Sequence, residues 1–312
     1  VVPTYVRAID FLVRQVTNRT AKDVQSFNIG SMFYSFPSRW ILGDVRATVL
    51  SKNKPALIYA AQVEIKDAFH LLADGQCSQV NIREVEASCG QLKVRGASCA
   101  VDLSQSTNGI SYQGNIFLAQ VSQEPFSVSD VKMDFSGNKQ SVTLSNLTAA
   151  AYGGKLSGAA VFKVPASYDV VLTLKEVDSG ELERAMGGVF RELGGKLSGQ
   201  LHVAGSGQRI DLFDTSWNMP AGGAVSATLL SSIARYIPDS VQKKRIDFLI
   251  RSGGKLAVES FLFTLKNDSP DQLSGQIGLK SREANMELNV THEIRVDARI
   301  DSLLQAWQAV FK

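Results

Sequence analysis

The sequence predicts a mostly β protein: one long, curved, antiparallel sheet with helices at its ends and inserted within it. Three observations carry this. The tetrapeptide Gly-Gly-Lys-Leu occurs three times, at 153–156, 194–197 and 253–256, and each copy opens an alternating apolar/polar run. A glycine pair supplies the positive φ of a tight turn, and the run after it reads as a strand. Between residues 24 and 177 the hydrophobic period is 2, interrupted by segments of hairpin length.

The elements follow in order. In 4–19, Tyr5, Ile9, Leu12, Val13 and Val16 make one helical face, which suits a helix capping the end of a sheet or lying beside a membrane. Strands are expected at 24–34, 40–50, 56–66, 78–87 and 91–103, with a short helix at 67–73. A second series runs through 109–122, 126–136, 141–151, 155–164 and 168–177, with hairpin turns at 123–125 and 137–140. Ser179-Gly180-Glu181-Leu182 reads as a helix start, and the segment extends to Leu193. A strand at 196–204 follows. Val225, Leu229, Ile233 and Ile237 then mark a helix closed by Pro238, and 239–250 fits neither period. Strands at 255–265, 272–280, 284–290 and 293–301 precede a short final helix. The chain divides into 1–105, a helix plus a first β unit, and 106–312, a continuing β unit with helical inserts near 179–193 and 225–250.

Composition narrows the class. Hydrophobic residues make up 44%, enough for a core, and no stretch approaches the roughly 18 consecutive apolar residues of a membrane span. The chain opens on Val1-Val2-Pro3, which reads as a piece of a longer protein whose N-terminal anchor lies outside it. The net charge of +3 comes from 33 basic and 30 acidic residues spread along the chain. A nucleic-acid binder would concentrate its basic residues on one face, so no nucleic acid is expected. The one compact basic run, Lys243-Lys244-Arg245, reads as solvated surface.

Enzyme chemistry is not expected. The three histidines, His70, His202 and His292, are scattered, with no metal-ligand spacing among them, so neither metal nor cofactor is predicted. Gly205-Ser206-Gly207 is a hairpin turn candidate rather than a nucleophile elbow. Gly-Gly-Lys-Leu-Ser-Gly lacks the frame of a phosphate loop. Cys77, Cys89 and Cys99 are too widely spaced for a CxxC site. Small buried residues in adjacent strands and a disulfide leaving one free thiol both fit them. Of the pairs, Cys77 with Cys99 is the better candidate, because both would lie near the far end of a hairpin turning at Cys89-Gly90.

The strands share one property. Val131, Met133 and Phe135 alternate with Lys132, Asp134 and Ser136; Val142 and Leu144 alternate with Thr143 and Ser145; Val170, Leu172 and Leu174 alternate with Val171, Thr173 and Lys175. One face is apolar and the other wet, as in an antiparallel sheet covered on one side. The stripe assigned to this face is Ile116, Leu118, Val131, Met133, Phe135, Val142, Leu144, Val170, Leu172 and Leu174. With too few helices to cover it, such a face curls on itself or binds something apolar. A sandwich or barrel core filled by its own side chains is the competing reading.

Ser35-Phe36-Pro37 followed by Trp40-Ile41-Leu42-Gly43-Asp44-Val45 resembles the opening of AsmA family proteins. Phe126 to Val131, Leu144 to Ala151 and then Tyr152-Gly153-Gly154-Lys155-Leu156-Ser157-Gly158 resemble the recurring unit of the AsmA and TamB-like group. The 225–250 segment matches no feature of that family. The resemblance implies a taco-shaped β-groove, periplasmic in a Gram-negative envelope and anchored in the inner membrane. It implies a non-enzymatic role carrying phospholipid acyl chains between the inner and outer membranes. The alternative is a structural part of an envelope or secretion assembly, similar to the N component of type II secretion, that joins protein partners by its strand edges.

Overall fold

The computed structural model describes residues 24–35, 38–51, 54–67, 79–106, 109–164, 166–186, 193–207, 209–234, 241–253, 255–269, 272–282 and 285–295. The helices expected at 4–19 and 67–73 and at the C-terminus lie outside the described residues, apart from Asp67.

The strands are β1 (Val24–Ser35), β2 (Arg39–Ser51), β3 (Lys54–Lys66), β4 (Gln79–Cys89), β5 (Leu92–Ser106), β6 (Gly109–Gln123), β7 (Phe126–Gly137), β8 (Ser141–Ala151), β9 (Gly154–Lys163) and β10 (Ser167–Asp178). Helix α1 (Ser179–Met186) separates these from β11 (Leu193–Ser206), β12 (Arg209–Asn218) and β13 (Gly223–Ser226). Helices α2 (Ala227–Ala234) and α3 (Val241–Ser252) follow, then β14 (Lys255–Val258), β15 (Ser260–Ser269), β16 (Gln272–Ser281) and β17 (Met286–Arg295). All seventeen strands belong to one open antiparallel sheet, the predicted fold class.

Two compact units share this sheet, Val1–Ala149 and Ala150–Lys312. The division expected at 105/106 is not where the chain divides. Residues there lead into an ordinary hairpin, with β5 and β6 in register from Ser106↔Gly109 to Lys93↔Ser122.

In the first unit β1 to β7 pair in sequence order, each hairpin antiparallel. A row of left-handed residues crosses them: Asp44 (φ 52°), Glu84 (51°), Gly96 (60°), Asp130 (52°) and Asn146 (52°) on β8. Each shifts the strand's alternation by one residue, so apolar positions fall three apart instead of two, as at Leu42/Val45, Ile82/Val85 and Val128/Val131. Small residues face the kinks: a Cβ on Gly30 would stand 2.8 Å from the Asp44 Cβ, and one on Gly96 2.8 Å from that of Ala119. Left-handed backbone costs an L residue roughly 1–2 kcal/mol, most for a β-branched one. Exposed Glu84 tests this. Glu84→Val should lower stability by about 1 kcal/mol or more in a urea melt, and Glu84→Gly should match or exceed the parent. Equal midpoints for the Val variant and the parent would refute the strain.

The second unit pairs β9–β10–β11–β12–β15–β16–β17, while the first residues of β11 pair with β13, and β13 with β14. Strands β12 and β13 went unassigned in the sequence. Inward positions on β12 are filled by Ile210 and Phe213, spaced three apart across a bulge at Ala204/Gly205, and by Thr215, whose Oγ1 donates to Gln200 O at 2.9 Å. The expected strands at 284–290 and 293–301 are one strand, β17, as far as it is described. The ambiguous 239–250 segment is mostly α3, and Val225 belongs to β13 rather than to a helix.

The three Gly-Gly-Lys-Leu copies serve three purposes. Tyr152 (φ 51°) and Gly153 (φ 69°) form the β8–β9 turn. Gly194 and Gly195 lie inside β11, where they pair with Ala224 and Gly223. Gly253 (φ 65°) ends α3, its amide donating to Ile250 O at 3.1 Å. In the last two copies the leucine enters the core: Leu197 and Leu256 are buried.

That core belongs to the second unit. Val177, Leu197, Met219, Val225, Phe261 and Leu279 pack with Leu182 of α1, Leu229 and Leu230 of α2 and Ile246 of α3. Asp178 Oδ1 caps α1, accepting from the Gly180 and Glu181 amides at 2.9 and 3.1 Å. Ser226 Oγ caps α2 through the Leu229 amide at 3.2 Å.

Candidate functional site: the apolar face of the sheet

Directly paired residues of antiparallel strands share a face, so register decides what is continuous. In the first unit one row runs Met32, Leu42, Val63, Ile82, Cys99, Ile116 and Met133. Its neighbour runs Ile29, Val45, Ala60, Val85, Ala97, Leu118 and Val131. Every position is apolar or a cysteine, from β1 through β7. The kinks make this possible, because without the one-residue shift each strand would turn its second half to the other face.

Five predicted stripe residues meet here. Ile116 pairs with Met133, Leu118 with Val131, and Phe135 lies opposite Gly114. The Phe135 ring covers that glycine, its Cζ 2.9 Å from where a Cβ would stand, and meets Tyr112 with centroids 6.2 Å apart. Val131 is buried, while Ile116, Leu118, Met133 and Phe135 are half-buried. Val142 and Leu144 of β8 are half-buried as well. The first unit has no helix among its described residues. A small core of Trp40, Leu42, Val45, Ala60 and Ile65 sits on β2 and β3.

In the second unit Val170 pairs with Ala160 and Val203, Leu172 with Gly158 and Leu201, and Leu174 with Leu156 and Gly199. Leu174 packs against the helix-covered core. Val170 and Leu172 are half-buried on the same face of β10. The stripe therefore enters a closed core at Leu174.

The other face of β9 to β17 is wet. Ser157, Thr173, Gln200, Ser216, Thr264, Gln276 and Thr291 form one cross-strand row of hydroxyls and amides. Thr173, Gln200 and Ser216 line a concavity of about 800 Å³ with Lys155, Lys175 and Asn218. On this face His202 Nε2 lies 2.9 Å from Asp169 Oδ1, an exposed pair on adjacent strands. No group of three or more His, Cys, Asp or Glu poised for a metal exists among the described residues.

Cys89 and Cys99 carry free thiols, and Cys77 lies outside the described residues. Cys99 is not at the hairpin's far end. It pairs with Ile82, three positions and roughly 10 Å inside the first β4 residue, Gln79, which pairs with Asp102. Its side chain belongs to the apolar face, and burial pushes its thiol above the ordinary range.

The sequence reading missed the β1–β5 part of this face. Its signal was present as apolar pairs spaced three apart at one level in successive strands. Comparison with protein-family models, characterised proteins and solved structures gives no match.

Proposed function

We propose that this chain is a non-enzymatic lipid-binding protein whose apolar sheet face holds phospholipid acyl chains. In this reading it is an AsmA/TamB-like protein of the Gram-negative periplasm, anchored to the inner membrane, that shuttles or bridges phospholipid between the two membranes. One observation carries the proposal: the apolar rows run unbroken over seven strands, yet on β6 and β7 all of their residues but Val131 are only half-buried. A face of this kind gains from contact with methylene chains, at about 0.8 kcal/mol per CH₂ buried and with no directional partner. The second reading, an envelope or secretion component joined by strand edges, draws on the sheet being open, since an open sheet has edge strands on which a partner can pair.

Native mass spectrometry of the purified protein is the direct test, with phospholipid mass adducts as the expected result. Cys99 offers an independent one. In a variant with Cys77 and Cys89 replaced by Ser, alkylation should be slow at neutral pH. The raised thiol pKa lowers the thiolate fraction, so the rate should climb at a higher pH than for a free cysteine. Added phospholipid should slow it about tenfold further. An alkylation rate indifferent to lipid would remove acyl chains from this face.

A further inference from the structure

Helix α3 carries two different faces. Ile246 is fully buried, and Leu249 and Ile250 pack beside it into the core of the second unit. The outward face holds Val241, Lys244, Arg245, Phe248 and Arg251, recurring every three or four residues along one side. All five are exposed; Phe248 at 72% and Val241 at 68% are among the most exposed apolar residues described.

A solvated basic helix face is ordinary, and single exposed apolar residues are common. Solvation gives no reason for a phenylalanine at the centre of the basic cluster, mostly in water, on a helix whose other face is tightly packed. The neighbouring turn is tied to this face. Arg245 Nη1 donates to Asn285 O at 2.9 Å, which sets the β16–β17 turn and its exposed Arg282 beside α3. Arg282 Nε is held by Glu259 at 2.8 Å. Asp247, half-buried, is the one acid on α3 itself.

We infer that α3 docks on an anionic phospholipid bilayer, lying parallel to its surface. Phe248 and Val241 enter the boundary between headgroups and acyl chains, and Lys244, Arg245 and Arg251 stretch back to the phosphates around them. Charge complementarity names the surface, since a cationic cluster of this density is attracted to anionic lipid. The apolar centre distinguishes a bilayer from a purely polar acidic partner: amphipathic insertion needs side chains able to leave water, flanked by cations that can reach the interface. The helix face is convex, which suits a flat, deformable partner. This inference stands apart from the acyl-chain reading, because a sheet filled by its own side chains can dock through α3, and a lipid-filled sheet need not.

The test is co-sedimentation with vesicles of phosphatidylcholine, with and without phosphatidylglycerol. The parent should pellet with the anionic vesicles, stay in solution with phosphatidylcholine alone, and lose binding as salt is raised. Phe248→Ser should weaken pelleting about tenfold, the worth of one aromatic side chain leaving water. Lys244→Glu with Arg251→Glu should abolish it. Both variants change exposed side chains and should keep the parent's melting curve. Met133→Asp should pellet like the parent, which separates docking from the acyl-chain face. Three results would overturn the inference: no binding to anionic vesicles, binding that both α3 variants leave intact, or capture by soluble polyglutamate with no capture by vesicles.

Discussion

Met133→Asp is expected to melt as cooperatively as the parent and to lose its co-purifying phospholipid, whereas Leu197→Asp is expected to lose a large part of its folding stability. Each residue points to the apolar side of the strands of its own unit, and their surroundings differ. Leu197 is 0% exposed among Val177, Leu182 and Met219, under a helix cover. A carboxylate there is an unpaired buried charge, worth about 3–5 kcal/mol of destabilisation, against a total domain stability of roughly 5–15 kcal/mol. Met133 is half-buried beside Ile116, in a unit without helices among its described residues. A carboxylate there keeps part of its hydration, so the cost to folding is small, but it places a charge where acyl chains would lie. Val131, at 4% exposure, sits between these cases, and Val131→Asp should be measurably destabilised. A Met133→Asp protein that loses its cooperative transition would mean the face is a closed core, and the lipid reading would fall with it. A variant that melts normally and still carries phospholipid would refute the proposed path through this residue.

Strand after strand was legible because turns and period-2 alternation are local. The turn at Gly137–Gln140 and the switch to helix at Ser179 depend on residues within a few positions of each other. What escaped was set by neighbours across the sheet. The alternation of Val131, Met133 and Phe135 was visible, but its continuation to Val128 and Val121 required the left-handed backbone at Asp130 (φ 52°). An aspartate is one of the few non-glycine residues that tolerates this conformation, yet nothing local demands it. Strand β12 was hidden because Thr215, a polar residue, takes an inward place, buried at 2% exposure and satisfied by a carbonyl on the neighbouring strand. A strict apolar/polar pattern assumes that inward means apolar, and here it does not. The helical α3 segment failed for the opposite reason. With Val241 and Phe248 on its solvent side and Ile246 in the core, it has apolar residues on both faces, so no single stripe appears. The candidate face was therefore half legible: its residues on β6 and β7 were found, and its reach to β1 came only from the register.

Gly199→Val should cost about 3 kcal/mol and lower the melting temperature by roughly 10 °C. Gly199 pairs with Leu174 on one side and Trp217 on the other, and it is buried. Its missing side chain is the slot in which the indole lies. A Cβ added there would stand 2.6 Å from Trp217 Cε3 and 2.9 Å from Ser216 O, closer than any such contact allows. The backbone carbonyl cannot yield, so the ring must. Trp217 is 7% exposed and shares the core with Phe263, its register partner on β15. Displacing it removes one of the largest side chains from the helix-covered core and overpacks what is left. The measurement is tryptophan emission alongside the melt, in a background where Trp40 and Trp307 are phenylalanine. The parent should emit as a buried indole and the valine variant further to the red. An unshifted spectrum with an unchanged melting temperature would mean the ring does not depend on the slot, and the packing of the second unit would need another account.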